Sequence, residues 1–201
     1  MKKIIPITLC LSLCACGGTS VVDLQDAAQV AAMQHVMELE YRDWTNTAEN
    51  MTKSMLDSNA LKTTQKPVIA IGNIVNDTAQ RFDTDILTKK IRTTLLKSGT
   101  VQVTTNFSGE DTNSDKVRAL RNNGEYDQKT IAKAGTLVAP NMSLSGKMLQ
   151  RNLKLESGWF SSVDTRVEYY LQLTLTDLNT GLSVWEDEQP IIKEGKDAPT
   201  W

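Results

Sequence analysis

Residues 67–107 read as strand, helix and strand in succession, and the rest of the chain must be arranged to cover their apolar surfaces. The first part, PVIAIGNIVN, is a nearly unbroken apolar run rich in β-branched residues, which predicts a strand buried on both faces. Phe82, Ile86, Leu87, Ile91 and Leu95 then recur at helical spacing. Asp83 stands where an N-cap belongs and Gly99 where the helix should stop. Val101 and Val103 alternate with polar residues, as in a strand with one solvated face. Together these predict a βαβ-like or split α/β unit.

The N-terminus limits where such a domain can work. Lys2 and Lys3 precede a short apolar run over 4–13, too short to span a bilayer, which reads as a secretory signal. The run ends in Leu13-Cys14-Ala15-Cys16-Gly17, which resembles a bacterial lipobox. In such signals the residues up to 15 are removed and Cys16 carries the lipid, its thiol taking the diacylglyceryl group. The chain's three cysteines are Cys10, Cys14 and Cys16, so no thiol is left for a disulfide in the folded part. Gly17 follows Cys16 where an aspartate would signal inner-membrane retention, which favours the outer membrane.

Along the chain, residues 16–40 form the expected tether, with a helix over 22–41 that contains His35, the only histidine. Asp43 can cap a second helix whose core face is Trp44, Ala48, Met51 and Met55. Short helices are expected at 115–122 and, capped by Asp127, through Lys133. A strand is expected over 136–149, with Pro140 at its start or on a bulge. Residues 151–164 read as a hairpin connection with Trp159 and Phe160 near its tip. The clearest alternation is at 165–178. Val167, Tyr169, Leu171, Leu173 and Leu175 share one face, and Arg166, Glu168, Tyr170, Gln172, Thr174 and Thr176 share the other. A turn at 177–181 leads into a returning strand through Trp185, and the chain after Gln189 reads as a loose tail.

The chemistry is as informative for what is missing. There is no G-x-S-x-G, no Walker loop and no G-x-G-x-x-G. One histidine and no remaining thiol make a nucleophile device hard to assemble. A net charge of −2 provides no basic face for nucleic acid. The expectation is a domain that acts by surface contact, without catalysis, cofactor or metal.

Several motifs in order resemble the LpoB family, lipoprotein activators of class A penicillin-binding proteins. They are Tyr41-Arg42-Asp43-Trp44, the strand 67–76, the helix with Ser98-Gly99, Leu144-Ser145-Gly146, and the hairpin from Tyr170-Leu171-Gln172-Leu173 through Thr180-Gly181 to Val184-Trp185. The resemblance spans about 41–187, within a domain expected over 41–189. It implies an α/β fold, a single domain with about four strands in a mixed sheet flanked by helices, similar to the TolB N-terminal domain. It also implies a lipid-anchored outer-membrane regulator, facing the periplasm, that docks on a class A penicillin-binding protein and biases it toward activity.

Contact candidates from the residues themselves are Lys147, Arg151, Trp159, Phe160, Tyr170 and Trp185, chosen as cations and large aromatics near the expected sheet and hairpin. Only about 25 residues separate Cys16 from Tyr41, a reach of roughly 80 Å extended or about 40 Å helical. So short a tether keeps an alternative open: a structural or assembly accessory lipoprotein of an outer-membrane surface or secretion complex.

Overall fold

A computed structural model describes residues 26–32, 37–63, 65–105, 111–154 and 165–195. Cys16, His35, Trp159 and Phe160 lie outside them, as does the tail beyond 195. The chain divides into a unit over Met1–His35 and a second over Val36–Trp201. The described part of the first is one short helix, α1 (Ala27–Ala32), with Asp26 Oδ1 accepting the Ala28 N–H at 2.9 Å. Hydrogen bonds from Gln29 and the backbone hold the Asp26 carboxyl below the usual range.

The second unit is a five-stranded mixed sheet with helices packed on one face. Its strands are β1 (Val68–Asp77), β2 (Gln102–Thr104), β3 (Met142–Lys154), β4 (Thr165–Asp177) and β5 (Leu182–Gly195). They stand in the order β2-β1-β3-β4-β5. β1 is parallel to both β2 and β3, and the β3–β4 and β4–β5 pairs are antiparallel. The resemblance implied four strands; the fifth is β2, three residues that extend the sheet beyond β1. α3 (Asp85–Ser98) joins β1 to β2, which completes the βαβ unit read from residues 67–107.

The inner face of the sheet carries the core. Ile69, Ile71 and Ile74 of β1 line up with Met142, Leu144 and Gly146 of β3, and these with β4 residues of the same parity. Val167, Tyr169, Leu171, Leu173 and Leu175 are all buried, as the alternation required. Leu87, Ile91 and Leu95 of α3 and Trp44, Ala48, Met51 and Met55 of α2 (Tyr41–Asp57) close over them. Each large apolar side chain so buried stabilises the fold by about 1.5–3 kcal/mol before entropy is counted. Thr45, Thr47 and Thr52 of α2 are buried too, because each hydroxyl donates to the carbonyl four residues back. Phe82 stacks on Trp44 with ring centroids 5.6 Å apart.

Helix ends differ from the sequence reading by a residue or more. Glu40, not Asp43, caps α2. Asp43 sits at the third helical position and accepts the Glu40 N–H at 3.0 Å, forming a capping box. The cap of α3 falls at Thr84, with Asp83 accepting from the Asp85 N–H at 2.9 Å, and Gly99 ends the helix at φ 67°. The helix expected over 22–41 does not reach Tyr41. Met37 to Glu40 leave helical geometry so that Leu39 can enter the core. Gln80 holds it there, its amide donating to the Leu39 carbonyl at 3.0 Å and accepting the Leu39 N–H at 2.8 Å.

Other boundaries move for tertiary reasons. α4 (Thr112–Ala119) starts before Asp115 because Asp111 caps it. Residues after Asp127 make a turn, not a helix; its side chain accepts the Lys129 N–H and its carbonyl the Thr130 N–H. β3 begins after Pro140 and continues through Arg151 to Lys154, so 151–154 are strand, not connection. β5 runs to Gly195, so residues 190–195 are not loose. Pro190 is tolerated because β5 is an edge strand.

Candidate functional site

The outer face of the sheet is where the sequence candidates can be compared. Among the described residues no α-helix packs over its centre, and cross-strand register sets its rows. Val75, Lys147, Gln172 and Glu188 form one row, and Asp77, Leu149, Tyr170 and Pro190 the next. Arg151, Glu168 and Ile192 follow, then Leu153, Arg166 and Glu194. Lys147, Arg151 and Tyr170 therefore lie on one surface in adjacent rows. Trp185 does not join them. It pairs with Leu175 on the inner face, partly buried against the core, and so stands on the opposite face of the sheet from Lys147, Arg151 and Tyr170. The remaining two aromatic candidates, Trp159 and Phe160, fall outside the described residues.

Glu168 is the hub of this face. It is buried, accepts the Tyr170 hydroxyl at 2.6 Å, and lies 4.0 Å from both Arg151 and Arg166. The hydrogen bond to Glu168, with some desolvation, raises the Tyr170 pKa above that of a free phenol, so the hydroxyl stays a donor. Arg166 is committed to Glu194, 2.7 Å from Nε. Lys147 pairs with Asp77 at 2.7 Å, and Gln172 donates to Glu188 at 2.6 Å. Arg151 is the least engaged cation, with 65% of its side chain exposed. Val75 and Ile192 add exposed apolar surface. A guanidinium and a phenol held by a buried carboxylate, with apolar side chains beside them, are the ingredients of a protein-docking surface. Arg166 and Glu168 were not chosen as contact residues, although they share the parity of Tyr170.

Behind the sheet lies a second charged group that sequence reasoning missed. Lys193 points inward from β5, with 11% of its side chain exposed. It meets Glu40 at 3.3 Å and is in close contact with Asp43, which ties the capping box of α2 to the sheet. Burial raises the Tyr169 phenol, whose hydroxyl donates to the Met37 carbonyl at 3.3 Å. The parity that Lys193 shares with Trp185 and Ile191 was the available signal. No group of three His, Cys, Asp or Glu side chains suited to a metal occurs among the described residues.

Comparison with known proteins adds the following. A family model described as "Peptidoglycan-synthase activator LpoB" matches residues 43–191, about three quarters of the chain. No curated protein matches. Among solved structures, the LpoB C-terminal domain from Escherichia coli is similar at 14% identity and a TM-score of 0.44, over 74% of this chain and 98% of that one. The corresponding Salmonella enterica domain gives 15% identity and a TM-score of 0.45, with the same coverage. Lipoprotein GNA1162 from Neisseria meningitidis gives 10% and 0.34, over 67% of this chain and 88% of that one.

Proposed function

We propose that this chain, which belongs to the LpoB family of peptidoglycan-synthase activators, is a non-catalytic activator of a class A penicillin-binding protein. In this reading residues 1–15 are a signal peptide, Cys16 is lipidated, and 16–40 tether the domain to the outer membrane on its periplasmic side. The domain docks on the synthase through the outer sheet face and stabilises its active conformation. Its effect equals its differential affinity for the two states of the synthase. The observation that carries the reading is the placing of Arg151 and Tyr170 around Glu168, with Lys147 two rows away on the same face, where no α-helix among the described residues covers them.

The test uses the full lipidated chain and a purified class A penicillin-binding protein, measuring binding and glycan polymerisation. Arg151→Glu and Lys147→Glu should each weaken binding about tenfold or more and reduce activation, while Glu125→Gln, in the turn after Asn123, should not. Unchanged activation by both face variants would refute the docking face. Crosslinked capture that enriches only outer-membrane or secretion components would instead favour the assembly role.

A further inference from the structure

The two edges of the sheet differ in character. β5 presents Glu186, Glu188, Pro190 and Glu194 along its outer side, features that deter further strand pairing. β2 carries no charge and no proline. The Gln102 N–H donates to the Pro67 carbonyl at 2.8 Å, so alternation turns the Val103 N–H and C=O outward. No strand pairs with β2 on that side among the described residues. Beside it lies an open groove of about 530 Å³ whose walls include Leu96, Val101, Val103, Leu137 and Val138. Leu96, Leu137 and Val138 each leave half or more of their surface exposed.

Arg118 enters this groove from α4. Its Nε reaches Ser114 Oγ at 3.4 Å, but its Nη1 is shielded from solvent and has no hydrogen-bond partner among the described residues. A guanidinium N–H withheld from water without an acceptor is costly, and a carboxylate in the groove would relieve that cost once the Arg118 side chain turned toward it.

We infer that the β2 edge receives an extended segment of a partner protein, which adds as a sixth strand beside Val103 and sets a carboxylate against Arg118. The backbone groups of Val103 call for a peptide rather than a lipid or a glycan. Leu137, Val138 and Leu96 take alternate apolar side chains, and the unsatisfied cation selects the acid. β2 accommodates about three residues, roughly 10 Å of strand. This site is separate from the outer-face docking surface, because β1 stands between β2 and the strand that carries Lys147 and Arg151.

The probe is an acetylated, amidated peptide, Thr-Val-Glu-Val-Thr-Val, titrated into the full chain labelled with ¹⁵N. The expected result is a shift of the Val103 amide and at least tenfold slower hydrogen exchange there at saturation. Replacing the glutamate of the peptide with glutamine, or Arg118→Met in the protein, should each weaken binding about tenfold. N-methylation of alternate peptide nitrogens should abolish it. Arg118→Met should keep the fold, since α4 buries no residue, and it leaves the outer face intact. The inference fails if millimolar peptide does not bind, if the glutamine peptide binds equally well, or if the shifts centre on Lys147 and Tyr170. Concentration-dependent protection of Val103 without peptide would overturn it in favour of a second copy of the chain.

Discussion

Gly146→Ala should destabilise the domain more than any surface substitution. A Cβ built at Gly146 would lie 2.6 Å from Leu173 Cδ2, 2.7 Å from the Gln172 carbonyl oxygen and 3.6 Å from Ile74 Cγ1. Carbon contacts are favourable only near 3.5–4.0 Å. Leu173 can answer by rotating a methyl, though it is buried and has little room. The Gln172 oxygen belongs to the β4 backbone and can retreat only if β3 and β4 part near the middle of their ladder. Overpacking costs about 1–3 kcal/mol, and with two clashes, one against backbone, about 2–3 kcal/mol is expected. For a chain of this size that is a fall in Tm of about 5–10 °C. Urea unfolding followed by circular dichroism would measure it. Leu173→Ala alone should cost about 2–5 kcal/mol. Adding it to Gly146→Ala should recover only about 1 kcal/mol relative to additivity, because the backbone clash remains. A Gly146→Ala protein within about 0.5 kcal/mol of wild type would refute the reasoning.

Lys193→Met should cost about 3 kcal/mol, since Glu40 and Asp43 would lose the mostly buried cation they share. Adding Glu40→Gln and Asp43→Asn should restore much of that in the same denaturation assay. Lys53 and Lys90 hold the Glu49 carboxyl down to about 2, linking α2 to α3. Its folded pKa lies below the unfolded one, so its contribution is present above about pH 4.5 and fades as pH falls toward 2. Solvent screening limits it to about 0.5–1 kcal/mol; Glu49→Gln should show that loss at pH 7 and almost none near pH 2. Tyr169 and Tyr170 should ionise above pH 10 in a spectrophotometric titration, and Glu168→Gln should lower the Tyr170 midpoint.

What the sequence revealed follows from how local each signal is. The inner face of β4 was legible because five apolar residues alternate without a break, and the α2 core face because four residues recur at helical spacing. Pro190 and its acidic neighbours resembled a tail, since nothing local says that an edge strand can hold a proline. The break at 37–40 was hidden for the same reason: it exists because Gln80, forty-one residues away, bonds both backbone groups of Leu39. Lys147, Arg151 and Tyr170 could be chosen by residue type, but only register puts them on one surface. That same register turned Trp185 inward.

The Leu39 clasp also has a mechanical meaning. For a chain fixed upstream to a membrane, tension would enter the domain at residues 37–40. There it meets the paired bonds of Gln80, the Tyr169 hydroxyl on the Met37 carbonyl and the Lys193 grip on Glu40. Those restraints lie on three different elements, so the load is shared between the loop after β1 and strands β4 and β5 before α2 can be peeled away. The point of entry is a bonded seam rather than a fraying end, so a pull applied upstream would meet these restraints before it reached the core.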